Sequence, residues 1–340
     1  MTDFDFTDLV DLAAERLGGA VLLANDEFFA PKEALLRAGP AEWREGEYTE
    51  RGKWMDGWET RRRRTPGHDW CIVRLGLAGV VRGVVVDTSY FRGNFPESCT
   101  LDGAEVSGTP DLAQFASDPS VIWSPILARS PLAGDSRNMF VVSADRRVTH
   151  LLFSIFPDGG VARLRVHGDA LPDSAILRPG REVDLAALEN GGFVEVCSDM
   201  FFGHRQNLIM PGRSTHMGDG WETKRRRGPG HDWTIVRLAR RGLVERVELD
   251  TDHYKGNAPA SVMLEWCDAA GASAATLSSS TSWHELVPNS PVQPHARHRW
   301  SAAPGATATH VRLSIYPDGG IARLRLFGTP DGTSTAPGHA

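Results

Sequence analysis

The chain repeats itself, and this internal duplication limits its fold more than any other feature. The 15-residue segment DGWETRRRRTPGHDW (56–70) recurs as DGWETKRRRGPGHDW (219–233) with two differences. Two further matches follow in the same order: VDTSYFRGN (86–94) with LDTDHYKGN (249–257), and THLLFSIFPDGGVARLRVHG (149–168) with THVRLSIYPDGGIARLRLFG (309–328). Because self-similarity on this scale indicates one structural unit built twice, we expect two copies of one fold.

The spacing between matched residues locates the domain boundaries and one large insertion. It falls from 173 residues between Asp26 and Asp199 to 163 between Asp56 and Asp219, so the first copy carries ten extra residues in this interval. Insertions of this kind usually form surface loops. The expected organisation is a first repeat at 1–168, a linker at 169–183, a second repeat at 184–328 and a flexible tail at 329–340.

Each copy is predicted to be an all-β unit. Short strands rich in Val, Ile and Leu are expected at 72–75 and 84–86, and again at 235–238 and 247–249. Each copy should end in a hairpin around its PDGG turn, because Pro presets one turn dihedral and Gly allows positive φ. One helical stretch is expected near residues 6–17. Short strands separated by Gly/Pro turns indicate two β-sandwiches.

Composition excludes several classes of protein. No apolar run approaches the roughly 18 residues that a membrane-spanning helix needs, and a net charge of −6 argues against nucleic-acid binding despite the Arg61–Arg64 run. Four cysteines without a CxxC pair argue against a disulfide framework and a zinc ribbon. The N-terminus, MTDFDFTDLV, carries acid where a secretory signal carries base, so we expect a cytoplasmic protein.

The duplicated DGWET segment is dense in groups that could bind a polar ligand. Its arginines could hold a carboxylate, and Glu59 or Glu222 could accept hydrogen bonds from an amide-like ligand. The structural alternative places Trp70 and Trp233 in the core and the arginines in ion pairs. We favour the structural interpretation for these tryptophans, since aromatic residues dominate cores. We favour the functional one for the charged cluster, since buried charges are costly unless paired.

The two repeats diverge at the VDTSYFRGN and LDTDHYKGN segments. The second repeat has Asp252, His253 and Lys255 where the first has serine, tyrosine and Arg92. A histidine titrates near neutral pH and can both donate and accept a proton, so this pair suits acid–base chemistry. The histidine count supports the asymmetry, with three in residues 1–170 and nine in 171–340. The structural alternative is that His253 merely makes a hydrogen bond in a loop.

These doubled motifs, together with SDMFFGHRQNLI (198–209), resemble the allantoicase (allantoate amidinohydrolase) family. The resemblance extends from about Asp11 to Gly328 and includes both repeats. It implies two jelly-roll β-sandwich domains of the galactose-binding-like type and a soluble homo-oligomer, and the composition already argues against nucleic-acid and membrane partners. It also implies hydrolysis of allantoate, a small ureido compound, to ureidoglycolate and urea in purine (allantoin) degradation.

The substrate chemistry then assigns roles to residues. The leaving urea needs a general acid and the incoming water needs a base. Our hypothesis gives the acid–base role to His253 oriented by Asp252, with Glu222 and Asp232 accepting ureido N–H groups and His231 alongside. The substrate-binding candidates are Arg225, Arg226, Arg227, Lys255, Asn257 and Trp221. The candidates for a second or shared site are Asp56, Glu59, His68, Asp69, Arg92 and Asn94.

Several alternatives stay open from the sequence. Zincin, phosphate-loop and nucleophile-elbow motifs are missing from the sequence, so no cofactor is implied. The Asp–His pairs could still bind a divalent metal ion. Water could displace urea directly or add after elimination to an imine-like intermediate. The rival functions are a non-catalytic ligand-binding module and a hydrolase of a neighbouring ureido intermediate, since a fold does not determine a function.

Overall fold

A computed structural model of the chain describes residues 5–173, 175, 177–279 and 282–334. The chain divides into two compact units, Met1–Leu171 and Pro172–Ala340. Among the described residues, no helix is both long and apolar enough to cross a bilayer.

The first unit is built from twelve strands among its described residues. They are β1 (Val10–Asp11), β2 (Ala20–Ala24), β3 (Tyr48–Thr49), β4 (Gly52–Lys53), β5 (Trp58–Glu59), β6 (Asp69–Asp87), β7 (Ser98–Ala104), β8 (Ser124–Pro131), β9 (Arg137–Val141), β10 (Val148–Phe156), β11 (Gly160–Val161) and β12 (Arg163–Ala170). Single 3-10 turns lie at Phe6–Asp8, Glu15–Leu17, Lys32–Leu36 and Phe115–Ser117.

The second unit repeats this order without the β3–β4 pair. Its strands are β13 (Val183–Asp184), β14 (Phe193–Cys197), β15 (Trp221–Glu222), β16 (Asp232–Asp250), β17 (Ser261–Cys267), β18 (His284–Pro291), β19 (Arg297–Ser301), β20 (Thr307–Tyr316), β21 (Gly320–Ile321) and β22 (Arg323–Ser334). Helical segments are the α-helix α1 (Ala274–Ser279) and 3-10 turns at Leu188–Asn190, Arg205–Ile209 and Met217–Asp219.

One 19-residue strand organises each unit. The first residues of β6 lie between β2 and β10, whereas residues 83–87 lie between β9 and β12. All of these pairings are antiparallel, so β6 takes part in both layers of a sandwich. Strand β16 does the same in the second unit, with β14 and β20 at its start and β19 and β22 at its end.

Close backbone packing marks the middle of each long strand. A Cβ on Gly79 would lie 2.2 Å from the Asp169 carbonyl oxygen, and one on Gly242 would lie 2.7 Å from that of Thr329. Glycine is therefore required where the strand passes from one layer to the other. The valines of 84–86 are all buried, although they alternate between the two faces of the strand, and each large apolar side chain so buried stabilises the fold by roughly 1.5–3 kcal/mol.

Three sequence-based expectations about local structure are wrong. The two strands expected at 72–75 and 84–86 are one strand, because the glycines between them allow the chain to continue without a turn. The strands on either side of PDGG do not form a hairpin: β10 and β12 each pair with β6 instead. The stretch 6–17 holds two short 3-10 turns around β1 in place of one helix.

The end of the second repeat also differs from expectation. Strand β22 continues past Gly328 to Ser334, where it pairs with Arg240 of β16. The sequence predicts a flexible tail from residue 329, but six residues of that segment belong to the sheet. The remaining residues, 335–340, lie outside the described residues.

Candidate active site at the strand ends of the second repeat

A glutamate and an asparagine meet at the same place in both units. In the first unit, the Asn94 side-chain amide donates to Glu59 Oε1 at 2.7 Å. In the second, Asn257 donates to Glu222 Oε1 in the same manner. The two-stranded pairs β5–β11 and β15–β21 hold the glutamates in place. Burial raises the pKa of both carboxyl groups, and the asparagine hydrogen bonds lower it in part.

Two loops in each unit have an unusual backbone: the loop after the long strand, and the loop between β8 and β9 or between β18 and β19. Tyr90 and His253 have φ values of 69° and 70°, and Asp135 and His295 have values of 49° and 52°. Bulky residues rarely adopt positive φ. Because both repeats hold the same two positions in this conformation, the fold itself imposes it, and it sets the direction of the side chains there.

Asp252 is the centre of a charged cluster in the second unit. Its carboxylate accepts a hydrogen bond from Arg213 at 2.8 Å and lies 2.8 Å from His295 Nδ1. It also accepts from the His253 backbone N–H at 3.2 Å. Burial acts to raise the pKa of Asp252, but the nearby positive charges of His253, Arg213 and His295 outweigh it and lower that pKa.

The imidazole of His253 is oriented by a carbonyl and not by Asp252 as the sequence suggests. Its Nε2 lies 3.1 Å from the Ser214 carbonyl oxygen but 3.9 Å from Asp252 Oδ2. A carbonyl can only accept a hydrogen bond, so Nε2 carries a proton and Nδ1 is the ring nitrogen left for other partners. Asp252 instead accepts hydrogen bonds from the backbone N–H of His253 and from Arg213, and it lies beside His295.

The segment 213–217 joins the imidazole to the Glu222–Asn257 pair. Met217 contacts Asn257 through its sulfur at 3.5 Å, and its carbonyl accepts from the Tyr254 hydroxyl at 2.7 Å. Lys255 lies between Tyr254 and Asn257 in the sequence, and its side chain is exposed to solvent. The structure therefore brings Glu222, Asp252, His253, Lys255 and Asn257 to one end of the sandwich.

Other predicted residues belong to a separate network. Arg226 pairs with Asp232, which is 2% exposed and also accepts from Ser198 at 3.0 Å. His231 stacks on Tyr316 with ring centres 4.5 Å apart. The first unit repeats this arrangement: Asp69 lies 3.5 Å from Arg63, and His68 stacks on Phe156 at 4.5 Å. We therefore leave His231, Asp232, His68 and Asp69 out of the proposed centre.

Two more candidates are buried. Trp221 has no exposed surface, and its indole N–H donates to the Asp199 carbonyl, so its ring is core and not a ligand platform. Asp56 is 6% exposed and pairs with Arg163 and with Arg37 at 2.8 Å. Trp70 and Trp233, for which a core role is predicted, are half-buried, and Trp233 packs against the buried cluster of Ile235, Cys267 and Leu277.

The remaining basic candidates are exposed. Arg225 and Arg227 extend from the loop after β15 into solvent. Arg92 donates to Asp135 at 3.0 Å. The structure brings neither Arg225 nor Arg227 into contact with Glu222 or Asn257.

Sequence reasoning missed three contributors to this site. Arg213, Ser214 and His295 hold Asp252 and His253, although they lie about 40 residues away along the chain. The excess of histidines in the second half was the available signal for His295. Among the described residues, no group of three or more His, Cys, Asp or Glu side chains is arranged to hold a metal ion.

The Glu–Asn pairs allow a test of their electrostatics. Replacing Asn257 by Ala is expected to raise the pKa of Glu222 further, because the hydrogen bond that stabilises the carboxylate is lost. A ¹³C NMR titration of labelled glutamate side chains measures this shift. Asn94→Ala is the matched control: it should raise the pKa of Glu59 and leave Glu222 unchanged. An unchanged Glu222 titration in Asn257→Ala would contradict the assignment.

Comparison with known proteins identifies the family. The family model of the Allantoicase repeat matches residues 10–171 and 183–331. The chain belongs to the allantoicase family. It is 49% identical to a probable allantoicase of Nocardia farcinica over 95% of both chains, and 42% identical to the allantoicase of Dictyostelium discoideum over 94% of this chain and 87% of that one.

The allantoicase of Saccharomyces cerevisiae supplies the structural comparison. Its crystal structure superposes with a TM-score of 0.80 at 33% identity, over 94% of this chain and 92% of that one. The prediction of an all-β tandem repeat of two jelly-roll sandwiches, and the resemblance to allantoicases, are confirmed.

Proposed function

We propose that the strand-end site of the second repeat hydrolyses allantoate to ureidoglycolate and urea. In a chain of the allantoicase family, one observation supports this placement above all: a carboxyl group of raised pKa, Glu222 of β15, lies at the same end of the sandwich as the imidazole of His253. Perturbed carboxyl groups and histidines together are typical of acid–base sites.

Substrate binding follows from the charges around this pair. Allantoate has a carboxylate on a carbon that carries two ureido groups. The exposed ammonium of Lys255 is suited to the carboxylate. The second oxygen of Glu222, which Asn257 does not occupy, can accept a ureido N–H group.

In this reaction the leaving ureido nitrogen must gain one proton, and the water molecule must lose one. In our proposal the imidazolium of His253 donates from Nδ1 to the ureido nitrogen as the C–N bond breaks, so that neutral urea leaves. Glu222 accepts a proton either from the attacking water or, on the elimination route, from the N–H of the remaining ureido group. Water then supplies the hydroxyl group of ureidoglycolate, and the proton returns from Glu222 to His253 through solvent.

The first experiment is an assay of the purified chain with allantoate, with and without a chelator. We expect urea and ureidoglycolate in equal amounts. Ligand binding without urea release would support a binding module instead, and release from ureidoglycolate but not allantoate would support the neighbouring reaction. Loss of activity with chelator and its return with a divalent ion would show that the reaction needs a metal ion and would contradict catalysis by side-chain acid–base groups alone.

We also propose that the protein works in the cytoplasm as a homo-oligomer, as the family resemblance implies. All four cysteines are free, and burial raises the pKa of each thiol, which keeps it in the unreactive protonated form. Free thiols suit a reducing compartment.

A further inference from the structure

The first repeat contains a cavity beside the β3–β4 pair, an element that the described residues of the second repeat lack. The ten-residue insertion folds into the β3–β4 pair and the segments beside it. Trp43, Lys53 and Met55 from this region join Glu59, Tyr90 and Asn94 around a cavity of about 410 Å³. This volume lies within the range of roughly 300–1,000 Å³ that is usual for small-molecule sites.

The cavity presents groups for both ends of a polar ligand. Lys53 lies 4.0 Å from the centre of the Trp43 ring, and Arg92, which also donates to Asp135, lines the cavity, so a carboxylate there would lie near two positively charged side chains. Glu59 is held by Asn94 and has one oxygen left for N–H donors. The charges thus match a molecule with an anionic end and an amide-like end.

Aromatic rings form one wall. Trp43 and Tyr90 lie 5.7 Å apart with an angle of 31° between their planes. A flat ureido group fits against such rings, because stacking buries its faces while its edges keep their hydrogen bonds.

The same cavity lacks the proton-transfer group of the second repeat. Tyr90 occupies the place of His253, and Asp135 occupies the place of His295, with matching backbone angles. None of the residues that line the cavity is a histidine. It therefore has the means to bind such a ligand but no imidazole to protonate a leaving group.

We propose that the first repeat holds a second, non-catalytic site for a small carboxylate that carries a ureido group. This inference rests on the proposed function in placing catalysis in the second repeat. Each chain then has two sites for related ligands, and only one of them cleaves its ligand.

Calorimetric titration of the full chain with ureidoacetate, which has one carboxylate and one ureido group, tests this. We expect two binding sites per wild-type chain. Lys53→Met should remove the first-repeat site and Lys255→Met the second, each by raising the dissociation constant at least about tenfold, and the double variant should lose both. Both lysines are exposed, so neither change should unfold the chain.

Each alternative result has a definite meaning. One wild-type site that only Lys255→Met removes would overturn the second site and leave the proposed function intact. One site that only Lys53→Met removes would overturn the two-site arrangement and move ligand binding to the first repeat. No binding at all would also overturn the second site. Urea release from allantoate, measured on the same wild-type sample, reports separately on the proposed function.

Discussion

Replacing His253 by Asn is expected to lower kcat for allantoate hydrolysis at least about 100-fold, because the chain loses its proposed general acid. Asparagine is the informative substitution. It tolerates the φ of 70° at this position better than most residues do, and its amide does not act as a general acid. The loop should therefore keep its shape while the titrating group is removed.

The measurement is a pH profile of kcat and kcat/KM for both proteins. The variant should have a lower kcat across the pH range and a profile of different shape, because the group that exchanges the proton has changed. His284→Asn is the control: this exposed histidine of β18 packs against Trp266 of β17, away from the proposed groups, and its loss should leave the profile unchanged. A His253→Asn enzyme with wild-type kcat would remove this residue from the mechanism.

Replacing Arg163 by Met is expected to lower the free energy of unfolding of the first unit by about 3–5 kcal/mol. Arg163 and Asp56 both have side chains that are 4% exposed, and the guanidinium also donates to the Gly39 and Pro40 carbonyls. Removal of the arginine leaves a buried carboxylate with Arg37 as its only remaining ionic partner among the described residues, and carbonyl groups without donors.

Native-state hydrogen exchange, resolved by mass spectrometry, measures this in each unit separately. Protection should fall in β6 and β12 of the Arg163→Met variant and stay unchanged in β16 and β22. Arg147→Met is the control, since its ion pair with Glu105 is partly exposed and should contribute about 1 kcal/mol or less. Equal losses in the two variants would show that Asp56 is not held by a buried ion pair.

Repetition explains why so much of the architecture could be predicted. Matched segments across the whole chain show two similar units, and runs of Val, Ile and Leu between Gly/Pro turns show that these units are β. The Glu59 and Glu222 motifs, and Asn94 and Asn257 after them, were recognisable because each occurs twice in the same order. Patterns of this kind are local, so one sequence is enough to find them.

Pairing over long distances could not be predicted in the same way. Pro-Asp-Gly-Gly is a sound turn signal, but whether the strands beside it pair with each other or with β6 depends on a strand about 70 residues earlier. The DGWET segment looked like one functional cluster. In the structure, Glu222 faces Asn257, whereas Arg226 and Asp232 pair with each other.

The sequence by itself determined the duplication, the all-β class, the family and the duplicated Glu and Asn positions. Each of these can be recognised from short segments of consecutive residues. Only the tertiary structure decided which charges meet. Asp252 lies 2.8 Å from both Arg213 and His295, and Asp56 pairs with Arg163, although these partners are about 40 to 107 residues apart. Ion pairs and hydrogen bonds depend on distances of a few ångströms, and the folding of the long strands sets those distances.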